Sequence, residues 1–427
     1  MKRRSFLGMA AAGATGSGLA ASGCGAGASA ESVTLRMVAA DYGDPRRGNS
    51  TQGYWDALVR KFSQRYPGVT VDVTVLDWKD VDKKVAAMVA EGRAPDIAQL
   101  GSYADFAAGG KLYSADELLS IPVQADFLPR LAEAGKVERV QYGLPFAAST
   151  RLLFYNRKLF AKAGLDPSKP PRDWGRLVRT ARRLKAAGVR VPYGLPLGRE
   201  EAPAEALMWV LGGGGGYTDK AGSWTIDAPA NIRTFEWMRQ NLVGRGLTNR
   251  SPGSTDRQDV FDAFTRGRVG MLNGHPKLMK EAAASGVDYG TAVLPGDEGP
   301  ADTTLGVADW IIAFKQGGRR EEAGRFLEFV FEERNHYTFV DRYDLLPVTT
   351  SANERMRAAP EHKRLRRFQD QLPGAEFYPV GKVSWARVSR ELKTSVGNVL
   401  ERGADPAAVL GVIQRKAEAQ DSATRAR

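Results

Sequence analysis

Three aspartates of this sequence could act on a bound ligand: Asp41, which precedes Tyr42; Asp309, which precedes Trp310; and Asp105. Two carboxylates that flank a glycosidic bond can hydrolyse it, and this arrangement requires no short sequence motif. An acid beside an aromatic ring can equally bind a sugar, because the ring covers the apolar C–H face while the acid accepts hydroxyl protons. These residue types are therefore compatible with a glycosidase and with a sugar-binding protein.

Short motifs of other enzyme classes are absent from the sequence. It contains no H-E-x-x-H, G-x-x-x-x-G-K-S/T, G-x-S-x-G or G-x-G-x-x-G pattern. The three histidines, His275, His336 and His362, are not at metal-ligand spacing from one another or from the single cysteine. We therefore expect no cofactor and no metal, and we favour a protein that is not an enzyme.

Length and charge limit the other possibilities. The chain has 427 residues, of which 43% are hydrophobic and 26% charged, so it is long enough for two folded domains. Its net charge is +12, and residues 1–23 contribute three of these charges. The remaining surplus of nine is modest, and the basic residues are spread along the chain without an aromatic-rich basic module. We expect no nucleic-acid partner.

The first residues are typical of an export signal. A basic stretch containing Arg3 and Arg4 precedes an Ala/Gly run, which predicts a signal peptide of the twin-arginine type over residues 1–23. The only cysteine, Cys24, follows Ala-Ser-Gly as in a bacterial lipobox, so we expect it to carry a lipid. A tether over 24–31 would then hold the protein on the outer face of the cell membrane. An unlipidated signal with a chance cysteine is the alternative.

The mature chain begins with alternating strands and helices. Hydrophobic periodicity predicts strands at 33–37, 69–75 and 95–100, and helices at 54–66 and 82–92. This order indicates a largely parallel sheet, whose ligands bind beyond the carboxyl ends of the strands. The residues that follow the first and third strands are candidates for such a site: Asp41, Tyr42, Ser102, Tyr103 and Asp105.

Two later segments allow two interpretations each. Arg172, Arg176, Arg179 and Arg183 share one face of a predicted helix, which is either solvated or in contact with a partner. The five glycines of Gly212–Gly216 either end a helix or bring backbone close to a ligand.

A series of motifs identifies a family resemblance that covers nearly the whole mature chain. The motifs, in order, are Tyr66-Pro67-Gly68-Val69, Pro95-Asp96-Ile97, Gly143-Leu144-Pro145, Leu153-Phe154-Tyr155-Asn156-Arg157-Lys158-Leu159-Phe160, Gly270-Met271 and Leu294-Pro295-Gly296. Together they resemble the family 1 extracellular solute-binding proteins, the group that contains the maltose-binding proteins. The resemblance implies an α/β, two-lobed periplasmic-binding-protein type II fold with discontinuous lobes and a hinged cleft. The implied N-terminal lobe is 32–146 plus 306–343, and the C-terminal lobe is 147–305 plus 344–427.

The resemblance also implies a function. Members of this family bind a solute between the lobes and deliver it to the permease of an ABC importer. We expect a monomer whose ligand is a mono- or oligosaccharide. An anchored extracellular glycosidase, and a sensor that presents its ligand to a receptor, are the alternatives.

Family positions add candidate ligand contacts to those at the strand ends. Tyr217 matches a ring-stacking position, and Trp209 is either a second stacking residue or part of the core. Arg151 could clamp hydroxyl groups or form a salt bridge across the hinge. The other candidates are Ser149 and Thr150 at the first crossing, Asn273 and His275 where many relatives carry Gly-Pro-Trp, Asp309 and Trp310 at the second crossing, Tyr343 and Asp344 at the last crossing, and Trp385.

Overall fold

A computed structural model of the chain describes residues 32–43 and 48–425. The predicted signal peptide, Cys24 and the tether lie outside the described residues. The strands are β1 (Val33–Ala40), β2 (Val69–Leu76), β3 (Ile97–Leu100), β4 (Lys136–Val137), β5 (Val140–Gln141), β6 (Leu144–Ser149), β7 (Leu152–Asn156), β8 (Val191–Gly194), β9 (Val269–Gly274), β10 (Tyr289–Ala292), β11 (Leu305–Ala313) and β12 (Glu376–Phe377).

Helices follow most of the strands. They are α1 (Thr51–Arg65), α2 (Val81–Ala90), α3 (Ala104–Ala108), α4 (Ala115–Leu118), α5 (Ile121–Asp126), α6 (Pro129–Ala134), α7 (Arg157–Lys162), α8 (Trp174–Ala186), α9 (Ala202–Gly212), α10 (Pro229–Met238), α11 (Arg257–Thr265), α12 (Pro276–Ala284), α13 (Arg320–Phe331), α14 (Glu333–Tyr343), α15 (Thr350–Ala358), α16 (Arg366–Gln371), α17 (Trp385–Ser395) and α18 (Pro406–Arg425). None of the described helices is both long and apolar enough to cross a membrane.

The first lobe is built on a sheet in the order β12-β11-β3-β1-β2, with β6 paired to β11. β1 is parallel to β2 and β3, as the strand–helix alternation predicts, whereas β11 runs antiparallel to β3 and β6. The alternating valines of β2 bury every second side chain at Val69, Val71 and Val73. Because Ala40 pairs with Leu76, the residues that follow β1 and β2 lie at one edge of the sheet.

The second lobe is built on a separate sheet in the order β10-β7-β9-β8. β7 is antiparallel to both β9 and β10, and β8 is parallel to β9. Both lobes contain strand and helix, so the predicted α/β class with two sheets is confirmed.

The chain crosses between the lobes at three places. β6 of the first sheet and β7 of the second are separated only by Thr150 and Arg151, and the return crossing runs from β10 to β11. We propose that the third crossing lies later than residue 344, since Thr349 bridges to Phe127 and α15 packs on α14. The later segment 385–425, which contains α17 and α18, packs on α9 and α10 of the second lobe. We therefore propose lobes of 32–149 plus 305–375 and 152–292 plus 385–425.

Candidate functional site

A cavity of about 1210 Å³ opens between the two lobes. It exceeds the roughly 300–1,000 Å³ typical of small-molecule sites, which suits an open cleft or an extended ligand. The first lobe supplies the end of β1, Trp78 after β2, part of β11, and the end of α14. The second lobe supplies Glu201 together with residues of α11 and α12. At the first crossing the cavity is lined by Ala147, Ala148, Ser149 and Arg151.

Aromatic rings cover the first-lobe wall of the cavity. The ring of Tyr42 contacts Trp78 edge to face at 5.5 Å between centroids and lies 5.9 Å from the ring of Tyr343. The Tyr343 hydroxyl donates to the backbone oxygen of Ser50 at 3.1 Å, which fixes that ring. Rings held in this way offer apolar faces for the C–H surfaces of a sugar.

Asp309 is the buried acid of the same wall. Its side chain is 7% exposed, and Oδ2 accepts a hydrogen bond from the buried amide of Gln99. Burial raises the pKa of Asp309 to about 7, although the hydrogen bonds from Gln99 and Tyr42 act in the opposite direction. Burial and the neighbouring Asp309 also raise the pKa of Tyr42. Near neutral pH the carboxyl can therefore either accept or donate a hydrogen bond to a ligand hydroxyl.

Among the described residues, four cationic side chains line the cavity, and each of these is paired with a carboxylate. The pairs are Arg151–Glu201 at 2.7 Å, Arg257–Glu201 at 2.6 Å, Lys277–Glu281 at 3.4 Å, and Lys280–Asp344, which joins the two lobes. By contrast, Asp41 and Asp309 line the cavity without a cationic partner in the described chain. The cavity therefore presents acids, hydroxyls and aromatic rings, and its positive charge is already neutralised.

Hydrogen bonds connect the polar residues of the second-lobe wall with one another and with residues behind it. Nη1 of Arg257 donates to Nε2 of His275 at 3.1 Å, so this nitrogen carries no proton. Burial, together with Arg151 and Arg257, lowers the pKa of His275 and keeps the ring neutral. Behind it, Asn273 donates to Glu205 at 3.2 Å, and burial raises the pKa of Glu205 to about 8. Eight of the predicted residues line the cavity directly: Asp41, Tyr42, Ser149, Arg151, His275, Asp309, Tyr343 and Asp344.

The tryptophans predicted as ligand contacts lie in the core and do not line the cavity. Trp310 is 1% exposed and packs on Tyr103, because it neighbours Asp309 on β11 and its side chain points away from the cavity. Trp385 stacks on Tyr378 at 4.9 Å. The indole N–H of Trp209 donates to Glu205 at 2.9 Å, which agrees with its alternative interpretation as a core residue.

Other predicted contacts are also placed away from the cavity. Tyr217 is 4% exposed, and its hydroxyl donates to the backbone oxygen of Pro203 at 2.7 Å. The ring is therefore part of the core of the second lobe. The hydroxyl of Tyr103 donates to the backbone oxygen of Ala134, while Ser102 and Asp105 lie at the start of α3 outside the cavity wall. Buried Thr150 donates to the backbone oxygen of Phe368.

Within Gly212–Gly216, Gly215 and Gly216 contact Asn231, and none of the five glycines lines the cavity. The Asn231 side chain accepts from the backbone N–H of Gly216 and donates to the backbone oxygens of Gly216, Thr225 and Ile226. A Cβ at Gly215 would lie 1.9 Å from Oδ1 of Asn231. The asparagine therefore requires glycine at position 215, for a reason that involves no ligand.

Several cavity residues were not predicted from the sequence. Trp78 follows β2 by two residues, so the same strand-end reasoning that selects Asp41 would have selected it. Arg257, Lys277 and Lys280 belong to helices of the second lobe, where no strand-end rule applies. Within the described residues, no group of three or more potential metal ligands is present.

Two bacterial binding proteins resemble this chain in sequence. A binding protein of Brucella abortus is 28% identical over 400 residues, which are 92% of this chain and 94% of the relative. The sn-glycerol-3-phosphate-binding periplasmic protein UgpB of Brucella melitensis is 25% identical over 303 residues, which are 65% of this chain and 64% of that protein.

The fold is shared with solved structures at lower identity. The cyclic alpha-maltosyl-1,6-maltose binding protein of Arthrobacter globiformis superposes with a TM-score of 0.76 at 18% identity, covering 91% of this chain and 99% of that one. Residues 48–337, more than half of the chain, match the family described as bacterial extracellular solute-binding protein. The two-lobed fold, the cleft between the lobes and this match together show that the chain belongs to the bacterial extracellular solute-binding protein family.

Proposed function

We propose that the protein captures a neutral mono- or oligosaccharide between its lobes and delivers it to the permease of an ABC importer. The observation that carries this proposal is the composition of the cavity wall: the rings of Tyr42, Trp78 and Tyr343 line it together with Asp309, while each lining cation in the described part of the chain is paired. Structural relatives support it, since the relative from Arthrobacter globiformis is named for a cyclic maltosyl-maltose and one from Thermotoga lettingae holds alpha-D-tagatose.

The name of the UgpB relatives raises a phosphorylated ligand as the competing possibility. A phosphate monoester requires donors or cations that are free to bind it, and arginine commonly does so through two parallel hydrogen bonds. Here Arg151 and Arg257 are already bound to Glu201. Asp41 and Asp309, which have no cationic partner within residues 32–43 and 48–425, would repel the dianion. The arrangement therefore favours an uncharged polyol.

A ligand panel separates the two possibilities. Calorimetry of the purified protein should detect a neutral sugar, and a hundredfold excess over its Kd should stabilise the fold by about 2.7 kcal/mol. sn-Glycerol-3-phosphate should compete at least tenfold more weakly. Tighter binding of the phosphate ester than of any neutral sugar would overturn the proposal.

We propose binding without hydrolysis. Of the three aspartates that could form a catalytic pair, Asp105 lies outside the cavity, and Asp41 and Asp309 both belong to the first-lobe wall. A glycosidase places its two carboxylates on opposite sides of the scissile bond. The bound sugar should be recovered unchanged by mass spectrometry. Its cleavage by wild type, abolished in Asp309→Asn, would instead support the enzyme.

Export and anchoring complete the proposed role. The basic start and the single Cys24 support a lipoprotein on the outer face of the membrane, acting as a monomer. Mass spectrometry of the mature protein should find a lipid on Cys24, and Cys24→Ala should release the protein from membranes. Replacement of Arg3 and Arg4 by lysine should block export, since the twin-arginine route reads the pair itself. Normal export of that variant would rule out this route.

A further inference from the structure

The surplus positive charge of the chain is concentrated in one segment. Residues 157–190 contain eleven basic residues and two acidic ones, a surplus of nine. The whole chain has a net charge of +12, and residues 1–23 contribute three of it, so this segment accounts for all that remains. Basic residues occur along the whole chain, but in this segment they greatly outnumber the acidic ones.

Helix α8 carries the centre of this charge on its outer face. Its sequence contains four arginines, one lysine and no acidic residue. The apolar side of the helix is buried in the second lobe through Leu177, Val178, Ala181 and Leu184. The cations are therefore left on the solvent side: Arg176, Arg179, Arg182, Arg183 and Lys185, continued by Arg172 and Arg190. We call these seven residues the basic face.

Most of the basic face is not neutralised by the protein itself. Within the part of the chain that the structure describes, Arg176 is the only member with a carboxylate partner, Asp173, at 3.2 Å. Arg183 donates to the backbone oxygen of Gly164, and Lys185 to that of Arg245. Arg172, Arg179 and Arg182 have no partner among the described residues. The basic face does not line the cavity, so ligand capture does not account for it.

We infer that the basic face binds the phosphate groups of an anionic membrane surface. Arginine binds phosphate oxygens bidentately, and each cation held near an anionic bilayer adds to the attraction. The geometry points away from a protein partner, because protein interfaces have an apolar or aromatic centre depleted of charge. Segment 157–190 exposes no large hydrophobic side chain, so the face can adsorb to headgroups but has nothing to insert.

The test measures binding of the full chain to lipid vesicles. The protein carries Cys24→Ala, which removes the only thiol that could be acylated. Co-sedimentation compares vesicles containing phosphatidylglycerol with vesicles of phosphatidylcholine alone, at low and high salt. The test variant is Arg172→Gln, Arg179→Gln and Arg182→Gln. The matched control, Arg60→Gln, Arg320→Gln and Arg334→Gln, removes three exposed arginines from the first lobe.

We expect binding to phosphatidylglycerol only, weakened at least tenfold in the test variant and by high salt, and retained in the control. All three proteins should unfold at the same temperature, since the changed side chains are exposed. No binding of wild type to anionic vesicles, or equal losses in both variants, would overturn the inference. Binding to polyglutamate but not to the vesicles would assign the face to an acidic protein and would also overturn it.

Discussion

The substitution Asp309→Asn removes the charge of a buried carboxyl and nearly preserves its shape. Burial raises the pKa of Asp309 from 3.8 to about 7 in the folded protein, whereas the unfolded chain leaves the group exposed to water. Since the folded-state pKa is the higher one, the carboxyl's contribution to stability is complete below about pH 4. It is lost progressively as the pH rises through about 7.

The size of this effect follows from the shift. One pKa unit corresponds to about 1.4 kcal/mol, so a shift of about three units costs the folded wild type roughly 4 kcal/mol at pH 8. Asparagine stays neutral, and its Oδ1 can still accept from Gln99. We expect the variant to exceed wild type in free energy of unfolding by about 2–4 kcal/mol at pH 8, and by less than about 1 kcal/mol at pH 4.

Urea denaturation at the two pH values measures both quantities. The control, Asp41→Asn, removes an exposed carboxylate from the same wall and so separates burial from simple loss of charge. An equal difference between Asp309→Asn and wild type at both pH values would refute the reasoning. We also expect the variant to bind the sugar more weakly. Retaining a buried acid that lowers stability is understandable if that acid serves to bind the ligand.

Three further predictions address the cavity, the first lobe and the second lobe. Trp78→Ala should weaken sugar binding by roughly 1–3 kcal/mol in calorimetry while leaving the melting temperature unchanged. Trp385→Ala should instead lower stability by about 3–5 kcal/mol. The reverse pattern would contradict the assignment of Trp78 to the cavity and Trp385 to the core. Burial lowers the pKa of His336 to about 4, so stability should fall by about 3 kcal/mol as the pH drops from 6.5 to 4, and His336→Gln should flatten this dependence in urea denaturation. Gly215→Ala should lower the melting temperature because the new methyl group overlaps the hydrogen-bonded amide of Asn231. Gly216→Ala should leave it unchanged, since the atom nearest to the new Cβ would be 3.6 Å away. Equal effects of the two substitutions would show that the amide can move aside.

Local pattern was sufficient to predict the first lobe's β-α-β order. The alternation of valines in β2 predicts which side of the strand is buried. On α1 the spacing of Tyr54, Leu58 and Phe62 likewise predicts the buried face, because only one face of each element can pack on the core. The reversed direction of β11 could not be read in this way, since antiparallel pairing with β3 depends on where a distant segment returns. The proposed position of the third crossing could not be predicted for the same reason.

Only part of the predicted site lines the cavity, because sequence alone does not show whether a side chain faces the core or the cavity. A tryptophan near a strand end is equally suited to the core and to a ligand, and the register of its strand decides between them. Trp310 and Asp309 are adjacent, yet only Asp309 lines the cavity. The pairing of Arg257 with Glu201 likewise arises only when α9 and α11 are brought together, so the neutral character of the cavity could not be predicted.

The register shift of β11 between Asp309 and Trp310 limits how this scaffold can acquire a new ligand. The strand is bonded to β3, β6 and β12, and its pairing with β6 slips by one residue at this point. An inserted or deleted residue here would exchange the core and cavity sides of the strand beyond it. Descendants and redesigned versions can therefore change the side chain at position 309 but not the length of the strand. The loops after β1 and β2 have no such restriction, and we expect lineages of this protein to diversify there.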